Sequence, residues 1–231
     1  MIYEPHLYAA EAVHWLIEDI GWDRIDRDVA RNEGKLHQAL HDAALIEGYL
    51  PVYASRILQL LSDDVDATAV LSLELYEGLR HYTALKRYLD AVGFQPAAQA
   101  DAALAGARAK VSGPDYTADR IAEHLTHFMG SEQFAAYFFL RIAEQTREPV
   151  LHDLLMRMSM DEQRHAAAAA AVLEARVRRD PSLAPRVTAA AEAFRHYGSD
   201  IVDVPVAMPN DFEALAAFNR RVRQVVGAPE K

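Results

Sequence analysis

No cysteine occurs anywhere in the 231 residues of this chain. Disulfides, thiolate nucleophiles and iron–sulfur ligation are thereby excluded, and any metal must be held by carboxylates and the ten histidines. Oxygen and imidazole donors of that kind suit iron or manganese. Glycine and proline are scarce, ten of each, in a chain that is 51% hydrophobic, a balance that favours one compact helical domain with a proper core. Basic residues are outnumbered, 24 Lys and Arg against 34 Asp and Glu, giving a formal net charge of −10. A nucleic-acid partner is therefore not expected. No apolar run approaches the length of a membrane span. The N-terminal Met1-Ile2-Tyr3-Glu4-Pro5 lacks the basic and apolar regions of a signal peptide. A soluble, cytoplasmic protein is the expectation.

What is present reads as helix throughout, with no strand signal. An amphipathic helix is expected from about Pro5 to Ile20, stopped by Gly21. A long one follows from about Asp26 to Ser62, with Leu36, Leu40, Ala44, Leu45, Leu50 and Tyr53 near a 3.6-residue period and Pro51 expected to kink it. Asp63, Asp64 and Asp66 offer N-caps for a helix from about Ala67 to Val92, which Gly93 ends. Phe94 to Asp115 reads as a crossover holding a short helix near Ala97–Ala107. Helix then resumes from about Thr117 to Thr146, and Glu148-Pro149 opens another that ends near Arg179. Two shorter helices, Ser182–Tyr197 and Asn210–Val226, flank the stretch Val204-Pro205-Val206-Ala207-Met208-Pro209. The expected domain is thus single, with a bundle core over about 26–179 and C-terminal helices over about 182–226.

Within this pattern the segment Met158-Ser159-Met160-Asp161-Glu162-Gln163-Arg164-His165 carries the chemistry. On a helix Glu162 and His165 leave one face a turn apart. They lie between apolar Leu154, Leu155 and Met158 and the run Ala166–Ala171, where an isolated charge would be too costly. Glu-x-x-His is the pair with which four-helix bundles hold a carboxylate-bridged metal pair, two helices giving one Glu each and two giving Glu-x-x-His. The other long helices offer Glu47, Glu132 and His81 on apolar faces. Taken singly, Glu47 could be a cap partner and His81 a core histidine.

Glu47-Gly48-Tyr49-Leu50-Pro51-Val52-Tyr53, Arg80-His81 with Lys86-Arg87-Tyr88-Leu89 and Gly93, and Asp161-Glu162-Gln163-Arg164-His165 together resemble the soluble acyl-acyl-carrier-protein desaturases, ferritin-like di-iron carboxylate proteins. The resemblance spans about Glu47 to Arg179 in the right order. It implies an all-α ferritin-like four-helix bundle with additional short helices. Glu47, His81, Glu132, Glu162 and His165 would hold two Fe ions, with Mn or a mixed Mn/Fe pair as alternatives. The implied activity is an oxygen-dependent oxidation of a C–H bond in an acyl or similar apolar substrate, carried on acyl carrier protein in that family, with an electron donor such as ferredoxin. A homodimer is allowed. Arylamine N-oxygenases, which act on small molecules with a related centre, have a further His four residues before the last Glu, where this chain has Met158.

One position departs from the family pattern. Gly78 stands three residues before His81, where the resemblance calls for Glu. Glu77 is the expected replacement, since spacings of four and three are both same-face, whereas Glu74 lies roughly 10 Å along the axis from His81. If Glu77 does not serve, Gly78 marks a lost ligand, and a non-catalytic metal-binding protein becomes the competing expectation. His37 with His41, and Glu123 with His127, share the i,i+4 spacing, and Tyr49, Tyr53, Tyr76 and Tyr137 could lie near the metals; solvated faces and core tyrosines are the plainer readings. Basic clusters at Arg176, Arg178, Arg179 and Arg186 and at Arg220, Arg221 and Arg223 could dock an acidic carrier.

Overall fold

The computed structural model describes residues 1–110, 116–202 and 211–228. The Pro-containing stretch from Val204 to Pro209 and the end of the crossover lie outside the described residues. Nine α-helices form among the described residues: α1 (Tyr3–Ala12), α2 (Arg27–Ala30), α3 (Gly34–Leu60), α4 (Val65–Ala91), α5 (Ala97–Lys110), α6 (Ile121–Gln145), α7 (Pro149–Arg179), α8 (Ala184–Glu192) and α9 (Phe212–Val225). No strand occurs among them, and none of these helices is long and apolar enough to cross a membrane.

The four long helices make the core. α3 packs along α4 and α6 along α7 as two hairpins, and α4 also meets α7 while α3 meets α6. Their ends follow local chemistry. The Asp64 side chain caps α4 through Ala67 N, and the Glu148 side chain caps α7 through Val150 N and Leu151 N, with Pro149 in the first turn where its missing donor costs nothing. Gly93 adopts φ +75 just past α4, the left-handed stop that a glycine accepts without strain. Pro51 lies inside an α3 that runs unbroken, and the Gly48 carbonyl, one turn earlier, accepts from Arg108 of α5.

Three expected boundaries are corrected, each by a tertiary contact or a backbone signal. α1 stops at Ala12 rather than Ile20, because the next turn is spent on α4: Arg80 bonds His14 Nδ1 at 2.9 Å and the Trp15 carbonyl at 3.2 Å. The long second helix is divided. Asp26 caps only the four-residue α2, and a turn through Asn32 separates it from α3, which begins at Gly34. The helix expected to reach Tyr197 ends at Glu192, where His127 Nδ1 accepts the Arg195 N–H and the His196 ring accepts that of Gly198.

Along the bundle the apolar residues form two clusters. One gathers Tyr53, Ile57, Leu71, Leu125, Phe128 and Leu173; the other gathers Leu40, Leu85, Tyr88, Phe139, Leu151 and Leu155. On each long helix the stretch between these clusters carries buried charge: Glu47 on α3, Glu74 to His81 on α4, Glu132 on α6 and Asp161 to His165 on α7. A polar layer thus crosses the middle of the bundle. Buried ionisable groups survive there only when paired, protonated or bound to a cation.

Candidate metal centre

Two groups of ligand atoms share Glu162 at the centre of that layer. Glu47, His81 and Glu162 bring one potential donor each within 4.8 Å of one another, and so do Glu132, Glu162 and His165. All five residues are buried. The two oxygens of Glu162 divide between the groups: Oε1 lies 2.7 Å from Nδ1 of His81, and Oε2 lies 3.1 Å from Nδ1 of His165. Glu47 stands 3.6 Å from the His81 Nδ1, and Glu132 stands 3.4 Å from the His165 Nδ1. One central carboxylate, two flanking carboxylates and two inward imidazole nitrogens could hold a metal pair, one carboxylate short of the four Glu and two His that four-helix bundles use for it.

The outer nitrogen of each histidine is tethered. Nε2 of His81 lies 3.1 Å from Asp161, which also accepts from the Trp15 indole at 2.9 Å and from Arg80 at 2.8 Å. Nε2 of His165 lies 2.9 Å from Glu77, whose two oxygens also take Arg164 at 2.8 and 2.9 Å and Arg80 at 3.0 Å. Arg80 and Arg164 each bridge Asp161 and Glu77, closing a ring of alternating charge. An imidazole that donates outward to a carboxylate is held in the tautomer that leaves its other nitrogen free to ligate.

Five of the six residues expected as ligands come together. Glu77 is buried beside them but belongs to neither group; it sits on the outer side of His165. The reason is angular. Gly78 is the residue whose side-chain direction meets Glu47, since a Cβ there would lie 3.3 Å from the Glu47 carboxylate and 2.6 Å from a Leu50 methyl. Glu77 is turned about 100° round the helix from that direction, toward α7. The missing side chain also lets α3 approach α4, with Leu50 in the space.

The protonation pattern shows what the layer needs. Burial and the neighbouring Glu162 push Glu47 up to about 7 and Glu132 well above the usual carboxylate range. Burial also opposes ionisation of Glu162, but the two histidines overcome it and hold its pKa well below that range. His81 and His165 are raised well above the ordinary imidazole value, because their carboxylate partners outweigh burial. Protons thus occupy the places that cations would take. Even so, Nδ1 of His81, Oε1 of Glu132 and Oε1 of Glu162 have no aligned hydrogen-bond partner although buried, so the 2.7 Å approach of His81 to Glu162 is a close contact that lacks hydrogen-bond geometry. Inward-facing orphaned donor atoms of this kind fit a divalent metal pair.

The sequence assigned no role to Trp15, Arg80, Asp161 or Arg164, although the last three stand in the motifs quoted above. Their signal was adjacency: Arg80 precedes His81, and Asp161 and Arg164 flank Glu162 and His165. Neither His37 with His41 nor Glu123 with His127 joins a group of three potential ligands among the described residues: His41 pairs with Asp42, the His37 ring meets Tyr88 and Phe94 edge-on, Glu123 takes Arg186, and His127 accepts from the Arg195 backbone. Of the expected tyrosines, Tyr49 and Tyr53 are buried, whereas Tyr76 is 55% exposed. Arg176 and Arg179 both engage Asp64. No protein-family model, curated protein or solved structure matches the chain.

Proposed function

We propose that this chain is a ferritin-like di-iron oxidoreductase that uses dioxygen to oxidise a C–H bond of an organic substrate, with an external one-electron donor such as a ferredoxin completing the electron balance. The observation that carries the reading is the pair of buried Glu/His groups sharing Glu162, each histidine tethered at its outer nitrogen. The motifs around Glu47 and Asp161–His165 that resemble acyl-carrier-protein desaturases agree with it. Two ferrous ions held there would supply electrons and open positions for dioxygen. His81 and His165, through Nδ1, together with Glu162, Glu47 and Glu132 are the residues that would hold them. Asp161 and Glu77 keep the Nε2 protons and orient the rings. Tyr49, Leu50, Phe139 and Met158, all buried, surround the layer with apolar walls that keep water out.

Gly78 favours a second reading, metal binding without turnover, because the α4 position that faces Glu47 brings no carboxylate. Anaerobic loading with Fe(II), reduction and an oxygen pulse separate the two. An oxidoreductase gives a transient optical band and consumes oxygen in proportion to bound iron. A storage or structural site gives slow oxidation without a transient.

A further inference from the structure

A cavity opens near the metal centre, where the first half of α6 meets the turn after α8. Its volume is about 160 Å³, close to the roughly 150 Å³ that holds one benzene ring and below the roughly 300–1,000 Å³ of sites for larger ligands. Its walls are aromatic: Tyr116 stacks on His124 at 4.4 Å, and Tyr53 stacks on Tyr197 at 4.6 Å. Its charge is positive in an otherwise acidic chain. The side chain of the exposed Arg120 makes no hydrogen bond or ion pair among the described residues, and Arg195 also lines the cavity. The one acid in the wall, Glu123, is already neutralised by Arg186 at 2.7 Å. His124 is 6% exposed and its Nε2 has no partner, a buried polar atom left to be satisfied by something that enters. Burial and Arg120 hold that imidazole down to about 4, so it is neutral at pH 7 and keeps one N–H to donate.

The floor of this cavity backs onto the metal ligands. Tyr197 packs on Phe128, and its backbone N–H donates to Ser131 Oγ, the residue before Glu132. The next residue, Gly198, lies against Ile46, the residue before Glu47. Both contacts are to residues that immediately precede ligands in the chain.

We propose that this cavity binds an organic anion the size of a single ring, its carboxylate against Arg120 and Nε2 of His124 and its body against Tyr197, and that this anion is the substrate class of the neighbouring centre. The second clause rests on the di-metal reading above; the binding site itself does not. The cavity is too small to house a long acyl chain.

Benzoate titrated calorimetrically into the full chain, first metal-free, tests the site. The expected result is one benzoate per chain, with benzamide at least tenfold weaker. Arg120→Ala, an exposed position whose loss does not threaten the fold, should weaken benzoate roughly tenfold while leaving metal content unchanged. His124→Phe, which keeps the stack on Tyr116, should weaken it similarly. No saturable binding, or binding that Arg120→Ala leaves untouched, overturns the site. Co(II)-loaded protein then tests the substrate assignment, since benzoate held against Tyr197 should shift the visible Co(II) bands and lose that effect in Arg120→Ala. An unshifted spectrum with intact benzoate binding overturns the assignment to the centre. Glu162→Ala that loses metal yet still binds benzoate leaves the site standing. Glu162→Ala that keeps two metals refutes the di-metal reading without touching the site.

Discussion

Replacing Glu74 with glutamine removes a charge that the polar layer does not support. Glu74 has no exposed surface, and neither carboxylate oxygen has a hydrogen-bond partner. The nearest titratable nitrogen, Nε2 of His6, is 4.0 Å away. His6 cannot compensate the charge: burial, His165 and Arg164 lower it to about 4, so it is neutral at physiological pH. Burial is the main reason that Glu74 rises from 4.5 to about 8, with Glu162 and Glu77 adding to it and His165 opposing. Between those two values the folded chain keeps a proton that the unfolded chain has released. Stability is therefore fully present below about pH 4.5 and falls as pH rises through 8. At about 1.4 kcal/mol per unit, the loss accumulates to roughly 5 kcal/mol above pH 8 and roughly 3 kcal/mol at pH 7. Glutamine keeps the shape and removes the dependence. Urea unfolding of metal-free wild type and Glu74→Gln should give stabilities within about 1 kcal/mol of each other at pH 5, with the variant ahead by several kcal/mol at pH 8.5. A difference that stays constant across pH refutes the reasoning.

Other expectations follow from the same layer. Asp161→Asn and Glu77→Gln leave all five inward ligands in place, yet each should lower metal affinity by about 10- to 100-fold in competition with a chelator; unchanged affinity means the outer nitrogens need no carboxylate. Loading the metal-free protein with a divalent ion at pH 6 should release about three protons per chain or more, one each from His81, His165 and Glu47. Calorimetry in buffers of different ionisation enthalpy counts them, and fewer than two would mean that the ions bind elsewhere. Gly78→Glu with Leu50→Ala, which clears the methyl 2.6 Å from the new Cβ, should tighten the second metal; loss of metal instead would show that the α4 position does not face the centre.

The four long helices were legible in the sequence because their apolar period persists over 25 to 31 residues and their stops are local: the Asp64 cap, Gly93 and Glu148-Pro149. Five inward residues were legible for a related reason, since Glu47, His81, Glu132, Glu162 and His165 each interrupt an apolar face. The failures share a physical cause, which is that partners distant in sequence decide them. Val13 to Ile20 looks helical alone, but Arg80 draws His14 and Trp15 out of the helix. The spacing of Glu77 to His81 is same-face, yet the direction that meets Glu47 belongs to Gly78, and Arg164 and His165 of α7 claim the Glu77 carboxylate. The outer tether of His81 could not be read from spacing, because His81 and Asp161 are 80 residues apart.

The central claim is that Glu162 is shared between two metal ions. Anaerobic Fe(II) titration, followed by metal analysis and low-temperature magnetic spectroscopy of wild type and Glu162→Ala, tests it most directly. The account predicts two irons per wild-type chain that are magnetically coupled, and loss of most of that iron in the variant. One isolated iron per chain, none at all, or two coupled irons retained in Glu162→Ala would contradict it.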